Sequence, residues 1–304
     1  MGEIVIKHHI ELINKSKETE LFEKYKDQIW EMLNEISNGF DFSLNLKVYV
    51  FDYESKKGFV NGEEECGFST ITKYGQMIGI YSSMLKLVEY DGGLNLYSSL
   101  FHEFAHVFDH HHVLKNPYCK INPMKLSKKT MEDFVFSCGY NFWTEFFAYY
   151  KNFYYIEEER EHYPTILMIT KAYKNLNERC EDILNHASQN SINFQKKVGD
   201  FMNDVDEFVY ALSKHLAGSI LKNKAYSYCE KTKNSKEFRQ VSIISKRLLG
   251  KIAPLFKNTY GRGMVNKIGW LGKCVIDNVY VKFNIYPKQG KKQTEFVMYK
   301  ERMK

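Results

Sequence analysis

The segment LYSSLFHEFAHVFDHHH, residues 96–112, holds five of the chain's ten histidines. Within it, His102-Glu103-Phe104-Ala105-His106 sets two imidazoles four residues apart, with a carboxylate beside the first. On a helix, positions i and i+4 stand one turn apart on one face, so both rings can reach a single ion. Glu103 stands one position further round and can hold a water next to that ion. A catalytic zinc takes three protein ligands and leaves its fourth position to water. The ion's charge draws the pKa of that water towards neutrality, and the glutamate accepts the proton. The flanks, Leu100, Phe101, Phe104, Ala105, Val107 and Phe108, are apolar, as a buried active-site helix requires.

Two residues are candidates for the third ligand. His112 lies six residues after His106, which resembles the three-histidine metzincin spacing HExxHxxGxxH. That pattern needs glycine where Asp109 stands, because glycine lets the chain turn sharply and return a third histidine. Asp tolerates such a turn better than most residues but less well than Gly. The only offer of a following methionine turn is Asn122-Pro123-Met124. His110 and His111 read as a polar helix end, where protonated imidazoles suit the C-terminal dipole. Glu145 is the stronger candidate: it is a lone carboxylate in the apolar, aromatic run NFWTEFFAYY, residues 141–150. A buried carboxylate must be neutralised, paired or metal-bound. Asp109 follows His102 by seven residues and His106 by three, so it shares their face. There it could accept the outer N–H of a ligating ring.

HExxH with a downstream glutamate on a second helix resembles the gluzincin metallopeptidases. More closely, His102 to Asp109 followed by Glu145-Phe146-Phe147-Ala148 resembles the anthrax-lethal-factor-like metalloproteases and the related clostridial proline-directed endopeptidases. Their pattern is HExGHxxD followed by an ExFFA-type helix. The resemblance implies a zincin-like α+β fold, Zn2+ held by His102, His106 and Glu145, and Glu103 as general base. It also implies that Asp109 packs or orients behind the ligands. Two positions depart from the family pattern. Ala105 replaces the glycine between Glu and His, and Cys138 stands where the family places a tyrosine that stabilises the oxyanion. Tyr140 and Tyr149 are the nearby alternatives. The chain also resembles, more loosely, the cytoplasmic ImmA/IrrE-type zincins, with the same ligands.

These side chains must be positioned by a small sheet and several helices. Residues 9–37 read as a helix, with Ile10, Ile13, Leu21, Tyr25, Ile29, Met32 and Ile36 as its stripe. Residues 45–53 read as a strand, and 67–73 and 76–82 as a hairpin through Tyr74-Gly75. The hairpin is the candidate edge on which a peptide substrate would add as a further strand. Asp91-Gly92-Gly93 reads as a turn into a helix over 94–112, and Pro117 and Pro123 mark a loop. Helices are expected over 128–159, with Gly139 a bend, and over much of 165–258; 274–286 and 294–300 read as strands. The expected fold is α+β: a small mixed sheet packed on the HExxH helix, then a mainly helical C-terminal part.

Composition supports a globular chain. It has 304 residues, 44% hydrophobic and 26% charged, with no apolar window of membrane-spanning length. Six dispersed cysteines with no CxxC pair read as reduced thiols. No apolar stretch of signal-peptide length opens the chain. A cytoplasmic protein is expected; a leaderless or leader-removed secreted form shares these features. The net charge of +6 hides a strong polarity. Residues 1–213 carry 22 Lys/Arg against 32 Asp/Glu, and 214–304 carry 21 against 5. This suggests a metalloprotease core over 1–213 and a basic helical and β-hairpin extension over 214–304. The expected function is zinc-dependent cleavage of a protein or peptide substrate. The alternative is a catalytically inactive binding or regulatory module whose basic residues 214–273 engage nucleic acid or an acidic protein.

Overall fold

In a computed structural model, the described residues are 8–40, 44–52, 67–72, 75–115, 130–156, 166–186, 192–222, 235–257, 260–261, 263–290 and 294–298. They form an α+β fold that is mostly helical with a small mixed sheet. None of the described helices is long and apolar enough to cross a membrane. The chain divides into two compact units, 1–112 and 113–304. Residue 213, where the charge balance changes sign, lies inside a continuous helix, Ile192–Lys222.

The first unit is built on strands β1 (His8–Asn14), β2 (Leu44–Phe51), β3 (Gly67–Thr72) and β4 (Gly75–Tyr81). Their spatial order is β1-β2-β4-β3. β1 runs parallel to β2, β2 parallel to β4, and β3 antiparallel to β4 at the edge. The expected hairpin therefore forms; Lys73 and Tyr74 at its tip lie outside the described residues. Leu46, Val48, Val50, Ile78 and Ile80 alternate inward and are almost fully buried.

The long N-terminal helix expected from periodicity is divided in two. Ile10 and Ile13 belong to β1, and helix α1 begins only at Thr19–Asn38. The break is chemical: Asn14 Oδ1 accepts from the Ser16 N–H at 2.9 Å and from its hydroxyl at 2.8 Å. Such a local side-chain turn competes with helix formation. A short helix that was not anticipated, α2 (Ser82–Asp91), follows β4. It ends at Gly92, whose φ of 68° favours glycine. Asp91 then accepts from the N–H groups of Gly93 (2.8 Å) and Asn95 (2.9 Å), which fixes the start of helix α3 (Leu94–Lys115).

The second unit is organised around helix α4 (Met131–Tyr155), opened by a reciprocal Thr130–Asp133 capping box. Helices α5 (Ile166–His186), α6 (Ile192–Lys222), α7 (Lys236–Lys257) and α8 (Met264–Val275) follow. α4 packs on α6 and α8. Gly139 does not interrupt α4, which continues as one helix through it; Gly139 and Gly272 let the backbones of α4 and α8 come together.

Residues 276–283 are a π turn and a 3-10 turn, not the expected strand. Val275, Ile276, Val279, Tyr280 and Phe283 are buried at helical spacing, and this packing overrides the β-branched composition. Asn284, at φ 58°, ends the turn. Strands β5 (Ile285–Gln289) and β6 (Thr294–Met298) then pair antiparallel as a hairpin. It is tied to the start of α4 by Gln289 Oε1, which accepts from the Met131 N–H at 2.9 Å.

Candidate metal centre

α3 is apolar on most of its circumference. Leu100, Phe101, Phe104, Ala105 and Val107 are buried, and Phe40 packs its ring against those of Phe101, Phe104 and Phe108 at 5.1–5.4 Å. Gln76 of β4 donates its side-chain amide to the Val107 carbonyl at 3.2 Å, joining the sheet to the helix that carries the histidines. His102 and His106 stand one turn apart, with their Nε2 atoms 3.0 Å from each other and their rings nearly perpendicular. Two imidazole nitrogens on one tetrahedral zinc would sit roughly 3.3 Å apart. The pair is therefore already at ligand spacing.

Glu145 lies on α4, in a run where Phe142, Trp143, Phe146 and Phe147 are buried around it. One ligand atom from each of His102, His106 and Glu145 lies within 4.8 Å of the other two. Among the described residues these three form the cluster able to hold a metal ion. Two imidazoles and a carboxylate are a donor set that fits zinc with an open fourth position.

His112 is not part of that cluster. The sharp turn that the three-histidine pattern needs at Asp109 does not occur, because α3 continues as regular helix to Lys115. The His112 ring packs on Phe108, with centroids 4.3 Å apart. Asn122-Pro123-Met124 lies outside the described residues.

His110 differs from the expected solvated helix end: it is 7% exposed, and burial pushes its pKa down to about 4. His215 on α6 is held neutral in the same way, also at about 4. An unfolded histidine titrates near 6.5. Below that pH, unfolding takes up protons that the native imidazoles refuse, so the stability is complete above about pH 6.5 and falls towards pH 4. The effect is at most on the order of 3 kcal/mol per histidine. Urea midpoints measured from pH 7 to 4.5 should fall with pH, and less steeply in His110→Leu and His215→Leu; parallel profiles would refute the assignment.

Glu103 is half-buried beside β3. A Cβ built on Gly67, the first residue of that edge strand, would lie 3.6 Å from Glu103 Cγ. The open edge of the sheet thus begins at the candidate general base. Asp109 is fully buried, about 20° from His102 in helical phase.

The two tyrosines sit differently on α4. Tyr149 is one turn after Glu145, about 40° round, whereas Tyr140 is about 140° away. Tyr140 is buried with its ring stacked on Phe136. The Tyr149 hydroxyl donates to that of Tyr210 on α6, and Lys214 Nζ lies 5.0 Å from the Tyr149 ring centre. Cys138, two turns before Glu145 on the same face, lines a small cleft with Ser137, Asn141, Asp206 and Tyr280. The Tyr280 phenol hydrogen-bonds Cys138, and burial raises its pKa well above the ordinary value.

Gly67, Tyr210 and Tyr280 are neighbours of these residues that no local sequence signal marked. Each is set there by strand register or helix packing. No protein-family model, curated protein or solved structure matches the chain.

Proposed function

We propose that the protein is a zinc-dependent endopeptidase in which His102, His106 and Glu145 hold the ion and Glu103 is the general base. The observation that carries this reading is the convergence of those three ligand atoms within 4.8 Å, with Glu103, the carboxylate of the HExxH motif, next to His102 in the chain. A zinc ion held there supplies Lewis acidity, polarising a scissile carbonyl and lowering the pKa of water. Glu103 takes the proton from the attacking water and passes it to the leaving amine. Asp109 orients a histidine ligand from behind. Tyr149, the nearer of the two tyrosines to Glu145 in helical phase, is the candidate to stabilise the developing oxyanion, a role in which its proton turns from Tyr210 to the substrate. The peptide binds as an added strand along β3, where backbone hydrogen bonds position it regardless of sequence. The described cysteines Cys138, Cys180 and Cys274 are buried thiols rather than disulfides, which suits a reducing, cytoplasmic compartment.

Metal analysis separates this ligand set from the three-histidine alternative. The purified chain should hold about one zinc, lost in Glu145→Ala and kept in His112→Ala. The reverse result would assign the third position to His112. A peptide-library cleavage profile with a chelator control tests the activity itself.

A further inference from the structure

We infer that the exposed ridge of α7, with the segment that follows α8, is a docking strip for the phosphodiester backbone of a nucleic acid. Lys236, Arg239, Lys246, Arg247 and Lys251 all project from the solvent side of α7. At 100° per residue they occupy an arc of about 140°, and at 1.5 Å per residue they extend over about 22 Å. Glu237, the single carboxylate of this helix, is phased towards its buried face and acts on Tyr173.

Two further cations, Lys267 and Lys282, are brought alongside by packing. Lys267 donates to the Pro254 carbonyl at 2.9 Å, Arg247 donates to Asn278 Oδ1 at 2.6 Å, and Lys282 donates to Gln240 Oε1. Contacts at 267/254, 278/247 and 282/240 run in opposite chain directions, so the two segments form one antiparallel seam. Burial and then the charges of Arg247 and Lys236 push the Lys282 ammonium below its ordinary pKa. Like charges held together in this way are relieved by an anion. Asp277 is the one exposed carboxylate of the neighbouring segment.

Three features favour a nucleic acid over other polyanions. The apolar stripe of α7, Val241, Ile244, Leu248, Ile252 and Leu255, is buried in the unit and not offered to a lipid surface; on the ridge itself the one large exposed apolar side chain among the described residues is Ile243, less than the continuous apolar face that membrane insertion needs. The ridge is of one sign, which suits a continuous phosphate chain better than the mixed charges of a protein surface. Trp270, 57% exposed on α8 between Lys267 and Lys273, offers a platform on which a base can stack.

The test is fluorescence anisotropy of the full chain with labelled single-stranded oligothymidine and with an oligouridine of the same length. Four phosphate contacts predict a log–log salt slope of about −3, a loss of roughly 50-fold between 50 and 200 mM salt. The quadruple variant Lys236→Ala, Arg239→Ala, Lys246→Ala, Lys251→Ala should flatten that slope. These four side chains are exposed, so its thermal unfolding should match the parent's. Glu103→Gln should bind like the parent, which keeps this test independent of the proposed hydrolysis. The DNA and RNA arms identify which backbone is preferred. Absence of binding at 50 mM salt, a slope unchanged in the variant, or stronger binding to phosphatidylserine vesicles or polyglutamate would overturn the inference.

Discussion

Glu103→Gln should retain the metal and lose peptide hydrolysis by roughly 100- to 10,000-fold. The substitution keeps the size and polarity of the side chain but leaves an amide that cannot accept a proton. His102, His106 and Glu145 are untouched, so metal content should equal that of the parent. The loss should fall on kcat rather than KM, because Glu103 acts on the water and not on the bound peptide. Glu103→Asp should recover only part of the rate, because the shorter carboxylate misplaces the base. Full activity in Glu103→Gln would remove the residue from the mechanism. An equal loss of metal and activity would instead make it a ligand.

The largest structural effect is expected at the α4–α8 crossing. A Cβ at Gly272 would lie 1.8 Å from the Val135 carbonyl oxygen and 3.0 Å from the Gly139 nitrogen. A Cβ at Gly139 would lie 2.0 Å from the Ile268 carbonyl oxygen. These obstacles are backbone atoms, which cannot rotate away as a side chain can. The helices must separate, and every buried contact along their shared face loosens. Gly272→Ala should therefore destabilise the protein by about 3 kcal/mol or more, a fall in Tm of roughly 6–12 °C. The matched control is Gly250→Ala on α7, where a Cβ meets nothing within 4 Å. There the change removes unfolded-state freedom at no steric cost and should stabilise by about 0.5–1 kcal/mol. Equal melting temperatures for the two variants would show that the close approach does not hold α4. Because α4 carries Glu145, Gly272→Ala should also weaken metal retention.

Legibility from sequence followed the range of the interactions. His102, Glu103 and His106 belong to one helical turn, so their spacing alone places them together. Glu145 could be proposed because a lone carboxylate in an aromatic run carries its own chemical difficulty. The β3–β4 hairpin and the Asp91–Gly93 turn were readable because turn chemistry is local. The failures share a cause. Ile10 and Ile13 fit a helical stripe until Asn14 turns the chain, and 274–286 has strand composition until packing winds it. Gly139 reads from sequence as a backbone irregularity, and its close approach to Gly272 is visible only in the packed helices. His110 reads as solvated until its burial is known.

Local order along the chain thus specified the candidate reactive groups and many of the elements that carry them, because covalent spacing and turn preference act over a few residues. Long-range packing settled the rest. It brought a carboxylate oxygen of Glu145 within 4.8 Å of the His102 and His106 ligand atoms while α3 continued as helix past Asp109, set the β3 edge beside Glu103, and aligned Lys282 and Arg247 along one seam. Those outcomes depend on which surfaces bury one another, and residues far apart in sequence meet only once the backbone has been placed.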